Sequence, residues 1–193
     1  MSTNDTAQSI LIAARRLLDK GGASAVSMRK VAEQVGITAM AIYRHYPDHA
    51  AVLNALADQG FIEMAAALRA TPLAGDISDR MVAGCEAYLD YALVNPRLFE
   101  LMFLAHRPGA RQFPRDFKAG LSPTGNLFAA IVEQGMRDGD LLEDDIWEIT
   151  FEMGALLQGL IMLYLGGRYE GGPEEFRLFF RRSLRRYIHG IHA

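Results

Sequence analysis

The stretch SMRKVAEQVGITAMAIYRHY, from Ser27 to Tyr46, limits what this chain folds into more than any other. Met28, Val31, Ala32 and Val35 recur at i, i+3, i+4 and i+7, a spacing that predicts a short amphipathic helix. Gly36 closes that helix, because glycine takes the left-handed conformation that ends one, and Thr38 is a good N-cap for a second. The second helix, Thr38 to Tyr46, holds Ala41 and Ile42 toward the core. It stops before Pro47, which disfavours helical geometry in the residue ahead of it. Small Ala32 lets the two helices approach. Helix, tight turn and helix at this spacing is the helix-turn-helix pattern.

The rest of the chain reads as all-α. Asp5 and Gln8 form a capping-box pattern ahead of the stripe Ile10, Leu11, Ala14, Leu17 and Leu18, which Gly21 and Gly22 end. Asp48 caps a fourth helix with Val52, Leu53, Leu56, Met64 and Leu68 facing inward, until Thr71, Pro72 and Gly75. Further helices are predicted over Asp76 to Val94, from the Asn95-Pro96 cap to His106, over Thr124 to Arg137, from Asp144 or Asp145 to Leu165, and over Glu174 to His189. Residues Arg107 to Ser122 read as a loop or broken helix. Two domains are expected, residues 1–68 with the helix-turn-helix at about 28–46, and residues 69–193.

Composition narrows the function classes. A chain that is 50% hydrophobic and 22% charged buries a core and is not a disordered tail. One cysteine, Cys85, leaves neither an internal disulfide nor a cysteine cluster for a metal, and a reducing compartment is the natural reading. The start MSTNDTAQ lacks the basic and apolar regions of a secretory signal, so a cytoplasmic protein is expected. The apolar run Ile149 to Leu165 is interrupted by Thr150, Glu152 and Gln158 and reads as a buried helix rather than a membrane span. Net charge is −3, unevenly spread: residues 1–69 sum to +1, residues 70–170 to −7 and residues 171–193 to +3. So weak a positive footprint favours a pair of DNA-binding units over a single one. No paired carboxylates, metal-ligand spacing or nucleophile with a base stands out, and Glu143-Asp144-Asp145 reads as the start of a helix. No enzyme activity and no cofactor are expected.

The residues Ser27, Arg29, Val31, Ala32, Val35-Gly36-Ile37-Thr38, Ile42-Tyr43, His45-Tyr46-Pro47 and Leu53 match T-x-R-x-I-A-x-x-A-G-V-S followed by L-Y-x-H-F and then the S-K-E-x-L start of the fourth helix. Over its first third the chain thus resembles the tetracycline-repressor (TetR) family of bacterial transcription regulators. Asn95 to Phe103 is similar to a segment of one branch of that family's ligand domains. Gln158-Gly159 stands where that branch often shows Trp-His-Gly, without the Trp and His. The family usually has Lys where this chain has His49, in the first turn of the fourth helix. This departure predicts weaker or more pH-dependent phosphate contact there, because a neutral imidazole offers one hydrogen bond in place of an ammonium.

In a helix-turn-helix the second helix enters the major groove. Thr38, Ala39, Met40, Tyr43 and Arg44 occupy that face. Ala39 and Met40 offer apolar contact suited to a thymine methyl, and Arg44 suits guanine or a phosphate. The resemblance assigns Ser27 and Arg29 to DNA contact, Ser27 being equally a plain cap. His45 is either a phosphate contact or a packed helix-end residue. The resemblance also implies an effector pocket, for which Phe99, Met102, Phe103, His106, Phe128 and Trp147 are lining candidates, each with core packing as the competing role. It further implies a homodimer, with Leu156, Leu157, Leu160, Phe176, Phe179 and Phe180 in a four-helix interface. Arg181-Arg182 and Arg185-Arg186 read as a solvated face. The expectation is a repressor that binds palindromic double-stranded operator DNA and is released by a small hydrophobic effector. A helical enzyme and a helical adaptor without DNA binding are the competing classes.

Overall fold

The computed structural model describes residues 3–193. They form ten α-helices and one 3-10 turn, and the sole β feature among them is an isolated antiparallel bridge between Leu141 and His192. The all-α expectation holds. The helices fall into two compact units, one comprising the chain up to Phe61 together with Asn95–Ala110, the other Ile62–Val94 and Arg111–Ala193.

The first unit begins with α1 (Thr3–Gly21), whose Ile10, Ala14, Leu17 and Leu18 are buried. A 3-10 turn (Ala23–Ala25) leads to α2 (Met28–Val35) and α3 (Ala39–Tyr43). Then α4 (His49–Ala70) starts with the Ala51 N–H on Asp48 Oδ1 at 2.7 Å, the predicted cap. Its Gly60 lies where α6 (Pro96–Phe103) comes closest, and a Cβ there would sit 2.6 Å from Met102 Sδ and 2.9 Å from Leu98 Cδ2. Absence of a side chain is what permits that approach. Phe61, Phe99 and Phe103 complete this core, with ring centroids 5.2 Å and 4.7 Å apart for the pairs Phe61–Phe103 and Phe99–Phe103.

Two helices end earlier than predicted, for identifiable reasons. Helix α3 stops at Tyr43 rather than Tyr46, because the His45 and Tyr46 N–H groups both turn back to the Ile42 carbonyl at 2.8 and 2.9 Å. Helix α6 stops at Phe103 rather than His106. There the buried Arg107 side chain donates to the Leu101 and Met102 carbonyls at 3.1 and 3.2 Å, which a continuing helix would have claimed. Asn95 precedes α6 as predicted but makes no side-chain cap bond; its Oδ1 accepts from Arg15 of α1 instead.

The second unit holds the end of α4, then α5 (Ile77–Val94), α7 (Arg115–Lys118), α8 (Pro123–Asp138), α9 (Ile146–Leu165) and α10 (Pro173–Gly190). Its core includes Met81, Cys85, Leu89, Phe128, Met153, Leu157, Phe176 and Phe180. Helices α10 and α5 run antiparallel, joined by the ion pairs Arg177–Asp90, Arg181–Glu86 and Arg185–Asp79. Arg181 and Arg185, expected on a solvated face, therefore have carboxylate partners, while Arg182 and Arg186 are exposed. The expectation of a buried apolar helix over Ile149 to Leu165 is also corrected. Only 28% of the most apolar window of α9 is buried, and Phe151 and Leu163 are 43% and 53% exposed. By length and composition alone, α9 is apolar enough to cross a membrane.

Candidate nucleic-acid interface

Local chemistry fixes the two helices of the motif relative to each other. Ser27 Oγ accepts the Lys30 N–H at 3.3 Å and so caps α2, and Thr38 Oγ1 accepts the Ala41 N–H at 3.2 Å and caps α3. Between them Gly36 sits at φ 74°, ψ 33°, and its N–H returns to the Ala32 carbonyl at 2.9 Å. Ile37 follows with its own N–H on the same carbonyl at 3.0 Å, closing the turn. Val31, Ala32 and Ile42 are buried at 0%, 4% and 0%, so one face of each helix is anchored and the opposite face is left to solvent.

That outward face carries the residues predicted for DNA. Met40 is 69% and Tyr43 46% exposed, and Arg29, Thr38 and Arg44 are exposed with them. A large thioether and a phenol ring held this far out of a core cost hydration that no packing within the protomer returns. Ser27, Ala39 and His45 are half-buried, and His49, in the first turn of α4, is exposed. Lys30, on the exposed side of α2, is a further cation at this face. Tyr46 closes the segment from behind, its partial burial raising the phenol pKa.

The candidate lining residues are divided between the units. Phe99, Met102, Phe103 and His106 belong to the first, where Phe99 and Met102 are buried in the core at 0% and 4%, Phe103 is half-buried and His106 is exposed. Phe128 and Trp147 belong to the second. Phe128 lines a partly open apolar cleft of about 90 Å³ together with Leu68, Arg69, Leu73, Gly84, Leu127 and Ile131. Trp147 lies instead in an aromatic cluster with Phe117, at 6.5 Å, which in turn meets Phe113 and Phe151. Of the six dimer candidates, Leu157, Phe176 and Phe180 are 1%, 1% and 0% exposed within the protomer, which removes them from any surface. Leu156, Leu160 and Phe179 remain half-buried. Arg69 and Arg107 escaped the sequence reading, although each is a cation at the C-terminal end of a helix, where such charges are favoured.

With this geometry in place, two family descriptions match the chain. Residues 10–56 match bacterial regulatory proteins of the tetR family, and residues 81–187 match the tetracyclin repressor-like C-terminal domain. The chain belongs to the TetR family of transcriptional regulators, a family of regulators and not of enzymes.

HTH-type transcriptional regulators of Mycobacterium tuberculosis and Mycobacterium bovis are each 30% identical over 138 residues, which is 68% of this chain and 58% of the relative. The matched stretch thus spans little more than half the length of those relatives. A solved structure from Rhodococcus sp. RHA1, described as a protein of unknown function, is 27% identical with a TM-score of 0.80, covering 97% of this chain and 96% of that one. A putative tetR family transcription regulator from Shewanella sp. PV-4 has the same fold, at a TM-score of 0.73 and 22% identity, covering 97% and 98%.

Proposed function

We propose that the protein is a cytoplasmic, ligand-responsive repressor that binds a palindromic operator as a homodimer and leaves it when a small hydrophobic effector binds. The observation that carries this reading is the solvent-facing Met40 and Tyr43 on a short helix whose other side is pinned by fully buried Ile42, with exposed Arg44 just past its end. Such a helix presents its N-terminal residues to base edges. Arg44 serves guanine or a phosphate, and Met40 a thymine methyl. Ser27, Arg29, Thr38, His45 and His49 supply the backbone contacts that set its register.

Dimerisation explains the uncovered side of α9. Leu156, Leu160 and Leu163, with Phe179 on α10, form the surface a second copy covers, while Leu157, Phe176 and Phe180 support it from within. Two recognition helices are then held one DNA turn apart, which offsets the small positive charge of each. The effector acts by shifting α4, whose first turn carries His49 and whose last turn lines the cleft beside Phe128.

The test is fluorescence anisotropy of the purified protein on intergenic DNA beside its own gene. Wild-type protein binds with a steep salt dependence and Tyr43→Ala loses at least tenfold in affinity. Absence of any binding by wild type, or equal binding by the two, overturns the reading.

A further inference from the structure

The cleft in the second unit is apolar except for one group. Leu68, Leu73, Leu127, Phe128 and Ile131 make its walls, and Arg69 stands beside them in the last turn of α4. Arg69 is exposed and has no ion-pair partner among the described residues. We propose that this cleft is the effector site, and that its ligand class is a short-chain amphipathic monocarboxylate, tail among these side chains and carboxylate on Arg69. The inference rests on the ligand-responsive reading above and names the chemistry of its ligand.

Three observations point to that class. The cleft volume of about 90 Å³ is several times the roughly 10–15 Å³ that one water requires, room for a short tail of about three to five carbons. Its walls offer that tail no hydrogen-bond partner, so a polar tail is disfavoured. Arg69, exposed and lining the cleft, carries one guanidinium, which matches one carboxylate in fork geometry. A dianion would bring a second charge into a stretch, residues 70–170, whose own net charge is −7. A neutral amphiphile leaves Arg69 unused, and a cationic one meets it with like charge.

The test measures binding of pentanoate, pentan-1-ol and pentylamine to the full-length protein by ligand-observed NMR, followed by release of operator DNA. Pentanoate binds at least fivefold more tightly than the alcohol, and the amine does not compete. From propanoate to pentanoate each methylene tightens binding about fourfold. Arg69→Gln, a surface change that leaves the fold intact, brings pentanoate down to the affinity of the alcohol, and Arg69→Lys restores part of the difference. Leu127→Trp fills the cleft and abolishes binding of pentanoate and pentan-1-ol at an unchanged thermal midpoint.

Equal affinity for pentanoate and pentan-1-ol, or an Arg69→Gln variant that binds pentanoate like wild type, overturns the proposal and leaves Arg69 as a cation serving only the helix end. Pentanoate that binds through Arg69 without releasing operator DNA keeps the site and sinks the regulatory reading. A protein that holds operator DNA yet binds no pentanoate sinks the site alone.

Discussion

The guanidinium of Arg107 donates to Asn54 Oδ1 at 3.1 Å across two helices, while its other nitrogens cap the Leu101 and Met102 carbonyls. One buried cation thus ends α6 and ties that end to α4. Removing it strands three acceptors at once, and charge-assisted bonds of this kind contribute about 1.5–3 kcal/mol. Arg107→Ala is expected to lose about 3 kcal/mol in urea unfolding. Arg107→Lys should recover less than half of that, since an ammonium lacks the planar fork that reaches all three.

Gly36 is the second point where a single residue sets geometry. At φ 74° any side chain is strained, by about 1–2 kcal/mol. Gly36→Ala should lower stability by about that amount. Operator affinity should fall by more than the folded fraction explains, because the recognition helix is re-aimed. Parallel unfolding and anisotropy measurements on one preparation separate the two effects.

At the DNA-facing surface, base and backbone contacts differ in their salt response. Arg44→Ala should reduce the slope of log affinity against log salt by about 1 per protomer if Arg44 holds a phosphate. It should relax sequence preference with an unchanged slope if Arg44 reads guanine. Replacing exposed His49 by Lys at the start of α4 adds a full charge where the family has one, and affinity at neutral pH should rise; no change would show that His49 lies off the DNA backbone.

Burial separates two neighbouring leucines that sequence reading had no means of ranking. Leu163→Glu alters a side chain 53% exposed on α9, so the protomer should keep its far-UV circular dichroism while light scattering reports a monomer. Leu157→Glu places a carboxylate at a site 1% exposed, and loss of the fold is expected, a cost above ~4 kcal/mol.

Acid should loosen the start of α9 before the core. Asp145 accepts from the Trp147 and Glu148 N–H groups at 2.9 and 3.1 Å and pairs with Lys118 at 2.9 Å. The Lys118 hydrogen bond first, then the backbone donors, hold its carboxyl below the usual carboxylate range. Arg115 and the Gln112 N–H likewise hold Asp116 down to about 2. A lowered folded-state pKa contributes stability above the unfolded value, near ~4, and that contribution fades as pH falls through the folded one. Trp147 fluorescence should therefore shift below about pH 4 in wild type. In Asp145→Asn, which keeps a cap but cannot titrate, that shift should be absent.

What the sequence discloses here is what is local. Ser27, Thr38, Asp48 and Asp145 were legible as caps because each bonds an N–H two or three residues on. Gly36 was legible because its turn needs only its own backbone. Arg107 was not, since Asn54 lies 53 residues away. The same limit explains the lining residues. An apolar stripe on a helix says that something covers it, not which neighbour does, so Phe99 and Met102 read equally well as pocket and as the core they occupy. Phe128 lines the cleft, but the leucines and Arg69 beside it come from α4, the turn after it and α8, and Gly84 comes from α5, so no single stretch of sequence displays the site. For α9 the error ran the other way: an apolar run broken only by Thr150, Glu152 and Gln158 implied burial, and within one protomer much of that surface is uncovered.

The three ion pairs along α10 act as an indexing device. On α10 they recur every four residues, at Arg177, Arg181 and Arg185, and on α5 they meet Asp90, Glu86 and Asp79. Each is partly solvated and contributes little alone. Together they select one rotation and one axial position. Sliding α10 by a single turn, about 5.4 Å, would bring Arg181 and Arg185 opposite Asp90 and Glu86 but leave Asp79 and Arg177 without their partners, so only one axial position satisfies all three pairs. The direction in which Leu178, Arg182 and Arg186 face the solvent is thereby fixed from the inward side, and concentrated salt, which screens the pairs, should blur that direction before it melts the helix.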